Sequence, residues 1–277
     1  MTRSVLLAIV LAAGTAQAQL PCWIADYGTN LALGDESVSA PQALGFSFAF
    51  DGGTWTAIQV CDNGYVTLGG GGGQADPDPD PVALNGAAFA RICPFWVDLD
   101  PSAGGSGNVW FNAVPANGTD PAHAVITWRG VYEFRGLTPH TFQLVLIDGG
   151  AIRCAYGQDI AHNTSPWLVG ASPGANATAN AVTFLSTPFS TSAPVLHEND
   201  PTGGASALEN RTIEWLPNAA VGDTLSTTSP ICVIIAGGAS AVIVSGAMSV
   251  AAVPSGPAAA SVDRSKLPGS SAGPPGL

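Results

Sequence analysis

Positive charge is scarce in this chain: eight Lys and Arg stand against twenty Asp and Glu, Lys266 is the only lysine, and the net charge is −12. A phosphate backbone or an anionic bilayer is bound by clustered cations, so nucleic acid and acidic membrane surfaces are poor partners. Helical periodicity is lacking too. No stretch between residues 20 and 230 sustains apolar residues at three- and four-residue spacing. His123, His140, His162 and His197 are scattered, and C-x-x-C, H-E-x-x-H and phosphate-loop patterns are missing. The glycine run at residues 69–73 has no helical pattern after it to complete a nucleotide site. Zinc and nucleotide chemistry are therefore without their signatures. In contrast, 34 Gly and 22 Pro interrupt the 277 residues often enough to favour short strands joined by turns.

The two ends differ from the middle. Arg3, an uncharged run over residues 4–15 and Ala16-Gln17-Ala18 follow the charged, apolar, small-residue order of an export signal. Residues 1–18 are predicted to be a cleaved signal peptide, and residues 19–41 an N-terminal extension. Far along the chain, residues 231–253 carry no charge. That length can cross a bilayer, but Gly237, Gly238, Gly246 and several serines weaken insertion. Two readings stand there: a pair of last strands at 232–236 and 241–245, or a membrane anchor. Residues 254–277, dominated by Pro, Gly, Ser and Ala, read as a disordered tail.

In the middle, apolar residues recur at spacing two. Leu44, Phe46, Phe48 and Phe50 share one face; Ile58 with Val60 and Val66 with Leu68 flank the hairpin dipeptide Asn63-Gly64. Val109 with Phe111 continues the pattern. Phe142, Leu144 and Leu146 are separated from Ile152, Cys154 and Tyr156 by the turn residues Asp148-Gly149-Gly150. The fold class is all-β, an antiparallel two-sheet β-sandwich with long Gly/Pro-rich loops, a barrel being the alternative. Residues 69–81, polyglycine followed by Asp-Pro repeats, read as a long exposed loop, since proline lacks the donor a central strand needs. Residues 175–230 supply further strands and loops of the same domain.

The cysteines Cys22, Cys61, Cys93, Cys154 and Cys232 are all disulfide candidates in an exported protein, and an odd count leaves one thiol over. Asn117, Asn163, Asn176 and Asn210 head glycosylation sequons. Residues 170–174 match G-x-S-x-G. The match fails on mechanism: Pro173 has no N–H for an oxyanion hole, and no acid lies between Ser172 and His197. Asp76, Asp78 and Asp80 suit a solvated loop with loosely bound calcium at most, because Pro81 and Ala87 stand where a calcium loop needs Gly and Glu. Residues 94–100 are the most informative segment. As a strand they place Phe95, Val97 and Leu99 on one side and Trp96, Asp98 and Asp100 on the other, where an indole beside two carboxylates suits a sugar, calcium or an acid pair.

Taken in order, these segments resemble the nidogen-type (NIDO) domain of cell-surface and matrix proteins and of related bacterial secreted proteins. The resemblance runs over residues 42–174 through Gly45-Phe46-Ser47-Phe48-Ala49-Phe50, Asn63-Gly64-Tyr65, Pro94-Phe95-Trp96 with Asp98, residues 107–111, 124–128, 141–146 and 150–156, and Val169-Gly170. It implies an extracellular interaction module with protein or glycan partners and supplies no catalytic residues. Cys61, Cys93 and Cys154 depart from the small or apolar residues common at those places, which a bond across the sheets would explain. The expectation is a secreted or cell-surface adhesion module, not an enzyme and without a cofactor. A carbohydrate-active or glycan-binding protein using Trp96, Asp98 and Asp100, and a subunit of an extracellular coat or filament, are the alternatives.

Overall fold

In a computed structural model of the chain, residues 20, 22–71, 73–175, 179–181, 189–190, 195–218, 224–228, 233–234 and 240–241 are described. The signal peptide, the tail, Asn176 and Cys232 lie outside the described residues. The strands are β1 (Thr29–Asn30), β2 (Gln42–Phe50), β3 (Gly53–Cys61), β4 (Tyr65–Leu68), β5 (Arg91–Trp96), β6 (Leu99–Asp100), β7 (Asn108–Val114), β8 (His123–Glu133) and β9 (Pro139–Ile147). They continue with β10 (Ile152–Tyr156), β11 (Trp167–Ser172), β12 (Ala179–Ala181), β13 (Phe189–Ser190), β14 (Val195–Asp200), β15 (Thr212–Asn218), β16 (Thr224–Thr228), β17 (Val233–Ile234) and β18 (Ser240–Ala241). One sheet runs β1-β7-β8-β9-β10-β15-β16-β13, with β6 added beside β8; the other runs β12-β14-β11-β5-β4-β3-β2. We call them the first and second sheets. Their pairings are antiparallel except for the parallel β12–β14.

Spacing of two translates directly into a shared interior. Phe48, Ile58, Val66, Phe95 and Val169 of the second sheet meet Ile126, Trp128, Phe142, Leu144 and Cys154 of the first in one core, so the molecule is an all-β sandwich. Trp128 stacks on Phe142 at 4.9 Å and Phe95 on Trp167 at 5.7 Å between ring centroids. Such pairs are worth about 0.5–1.5 kcal/mol each beyond their buried area. The hairpin at Asn63-Gly64 is present: Cys61 pairs with Tyr65 around a three-residue loop. Gly64 has φ +79°, and a Cβ there would lie 1.9 Å from the Phe95 carbonyl oxygen, so only glycine fits.

β5 is irregular in a way that matters for the site. Opposite β11, the two steps from Gly170 to Leu168 face the three steps from Cys93 to Trp96, a β-bulge that takes in Pro94. The extra residue restores Phe95 to the core while turning Cys93 and Trp96 to the outer face of the second sheet. The chain then crosses at Val97 and Asp98 to join the first sheet as β6.

Two segments differ from the reading of the sequence. Residues 19–41 are not an appendage, as far as they are described. The Leu20 carbonyl accepts from Arg153 Nη1 at 2.8 Å, Ile24 exchanges two 3.0 Å bonds with the Gln143 amide, β1 extends the first sheet and Leu33 enters the core. The Gly/Pro loop is not merely solvated either. Tyr65 donates to the Gln74 carbonyl, Trp96 Nε1 donates to the Asp76 carbonyl at 2.8 Å, and Gly73 N–H donates to Gln59 Oε1 at 3.0 Å. The loop ends in a short helix, α1 (Pro81–Gly86), capped by Asp80, which puts Leu84 against Trp96 and Leu168. Near the other end β17 pairs with β18, inside the segment read as strands or anchor. Among the described residues no helix is long and apolar enough to cross a membrane.

Candidate functional site

Trp96, Asp98 and Asp100 are placed by the β5 bulge and the crossing to β6, and the three fare differently. Trp96 is fully buried beneath the loop, its N–H committed to Asp76 and its ring 5.2 Å from that of Tyr65, so it presents no face to a sugar. Asp100 accepts from the Ser102 N–H at 2.8 Å and its hydroxyl at 2.6 Å, a local turn. Asp98 is half-buried, with Oδ1 sealed from solvent and without a hydrogen-bond partner. Burial, then the charges of Glu36, Asp35, Asp78 and Asp100, push its pKa up to about 6. Asp62 behaves similarly: burial raises it to about 7 although Cys61 and the Ser37 N–H donate to it, and Glu36 adds repulsion. An acidic rim thus surrounds this end of the sandwich. Arg91, 3.6 Å from Asp76 and stacked over Tyr65 and Trp96, is the cation built into it. Among the described residues no three acidic, His or Cys side chains are arranged to hold a metal.

Other candidates resolve on geometry. Cys61, Cys93 and Cys154 are free thiols, which corrects the expected pairing; Cys22 is disulfide-bonded. Two strand spacings separate Cys61 on β3 from Cys93 on β5, about 9–10 Å and beyond disulfide reach, while Cys154 sits inside the sandwich. Asn163 is buried, its amide nitrogen donating to Ser165 and Gly204 carbonyls, so that sequon is inaccessible in the folded protein; Asn117 is exposed and Asn210 half-buried. Ser172 is also buried, accepting from Gly174 N–H at 3.0 Å, as befits a turn. The histidines stay apart. His140 pairs with Glu133 at 2.9 Å inside the protein, and Glu133 also accepts from Thr164 and Ser165. Burial favours a neutral Glu133, but these donors outweigh it and hold the carboxyl at about 2.

The sequence reading missed an open groove of about 660 Å³ on the outer face of the first sheet. Strand alternation turns Val109 and Phe111 toward the core and leaves Trp110 outside, where β1 ends beside it at Asn30. In β8 the steps from Trp128 to Val131 face only Phe142 to His140, a second bulge that sets Arg129 and Gly130 opposite Thr141. Gly107 packs so closely that a Cβ would lie 1.7 Å from the Arg129 carbonyl oxygen, which keeps the floor shallow and bare. Arg129 is exposed, its guanidinium 5.2 Å from the Tyr27 ring, and Tyr27 is held by Trp23 through a 3.1 Å hydrogen bond. The available signal was a tryptophan on the polar face of a strand beside two glycines. Its meaning depended on contacts distant in sequence.

A family model described as NIDO related matches residues 18–217. No curated protein and no solved structure matches the chain. The matched span is wider than residues 42–174, and it takes in both β1, which borders the groove, and β15, which pairs with β10. With the ordered motifs, the two-sheet sandwich and a match over more than half of its length, the chain belongs to the NIDO-related family.

Proposed function

We propose that the protein is an extracellular adhesion or matrix-interaction module without catalytic activity, secreted or held at the cell surface. Family membership supports the extracellular setting. The observation that carries the interaction reading is the groove: a concave, polar surface built on strands and lined by an indole and an exposed guanidinium. Partners are surface proteins or glycans, engaged without a cofactor.

The test coats beads with the mature chain and measures their retention on extracellular-matrix preparations. Wild-type beads are expected to be retained, and beads bearing Trp110→Ala with Arg129→Ala are expected to wash off. Equal retention of both would reject the groove as the contact surface.

A second reading, glycan cleavage by Asp98 and Asp100, draws support from the raised pKa of Asp98. Against it, that rise comes first from burial and then from crowded like charges, and Oδ1 is closed to a substrate. Release of reducing ends from polysaccharides by wild type, lost in Asp98→Asn, would favour the enzyme.

A further inference from the structure

We infer that the groove on the first sheet is a subsite for a neutral polysaccharide, with one pyranose ring lying on Trp110 and its hydroxyls held by Arg129, Asn30 and Thr141. This rests on the adhesion reading and names its ligand class.

The chemistry follows from what each group has left to give. The Trp110 indole is half-buried along the groove and supplies a flat apolar surface that the C–H face of a sugar matches. Asn30 Oδ1 accepts from the Ala32 N–H at 2.7 Å, while its amide nitrogen bonds no described residue and is free to donate. Thr141 Oγ1 accepts from the Gly130 N–H at 3.0 Å, which leaves its hydroxyl proton for a ligand. Arg129 makes no ion pair or hydrogen bond with a described residue. Its guanidinium lies over the Tyr27 ring, 5.2 Å from the centroid, and its fork of N–H groups suits a pair of vicinal hydroxyls.

Donors thus line a shallow floor that Gly107 keeps open, next to one aromatic surface. A polar ligand rich in oxygen acceptors and with a flat apolar face fits this set, and a carbohydrate has both. The charge of the whole molecule selects among carbohydrates. At −12 it repels polyanions, and the one arginine lining the groove does not reverse that field.

Isothermal titration of the mature full-length chain with neutral glucan and mannan oligosaccharides, and with polygalacturonate and heparin, tests the assignment. At least one neutral series is expected to bind, with a Kd changing less than about twofold between low and high salt. Trp110→Ala is expected to weaken it by about tenfold or more with the melting temperature preserved. Arg129→Gln, at an exposed position, serves as the second variant and is expected to weaken binding as well. Binding of the polyanions alone, or neutral binding untouched by both variants, would overturn the proposal. Retention on matrix that depends on Trp110, with no response to any of the glycans, would reject the ligand class while leaving the adhesion reading standing.

Discussion

Asp62 and Glu133 pull stability in opposite directions as pH changes. Asp62 has a folded pKa near 7 against an ordinary value of 3.8, so its native form prefers the proton. Its contribution is fully present below about pH 4 and is lost as pH rises through 7, and Asp98, near 6, adds to the same trend. Glu133, held near 2 against 4.5, contributes stability above about pH 4.5 that is lost as pH falls toward 2. The melting temperature should therefore rise from neutral pH toward about pH 5 and fall again in stronger acid. Asp62→Asn should flatten the first limb alone; an unchanged slope between pH 7 and 5 would refute the role given to Asp62. Removing Glu133 strands His140 in the interior, and breaking such a buried pair costs about 3–5 kcal/mol. Urea denaturation of Glu133→Ala would show it. The thiols give a third check. Burial pushes Cys61 well above its ordinary pKa and Cys93 up to about 12, so Cys61, Cys93 and Cys154 should resist iodoacetamide in the native protein. All three should be labelled after unfolding without reductant, as read by mass spectrometry; protection there would mean they are bonded.

At the scale of elements, spacing of two was legible wherever one strand face is buried. Leu44 with Phe48, Phe142 with Leu144 and Val109 with Phe111 all point inward as the pattern required. The hairpin at Asn63-Gly64 was legible for the same local reason, and its glycine is open to test. Gly64→Ala meets both a left-handed backbone and the Phe95 carbonyl, so a loss on the order of 2 kcal/mol or more is expected in urea denaturation. Features set by partners distant in sequence were not legible. Nothing near Trp96 says that Asp76, twenty residues earlier, takes its N–H, and nothing near Ile24 points to Gln143. The bulges at Pro94 and at Arg129-Gly130 escaped as well, since each exists only relative to the strand beside it.

Across the whole molecule, these local irregularities sort into two regions with different work. The bulge in β5 turns Trp96 and Cys93 into a sealed second core beneath the Asp-Pro loop, an arrangement that stiffens the acidic end. The bulge in β8 aims Arg129 into the groove beside Trp110, on a sheet against which Leu20 and Ile24 also pack, near Val145 and Ile147. Sequence reasoning chose Trp96, which the fold buries, and overlooked Trp110, which lines the groove, because the burial of each is set by segments distant in sequence. Hydrogen exchange of the mature chain with and without a retained matrix preparation separates the two regions in one experiment. Added protection is expected at β1, at residues 105–110 and at Arg129 and Gly130. Protection confined to residues 76–100, or to the second sheet, would contradict the assignment of recognition to the groove.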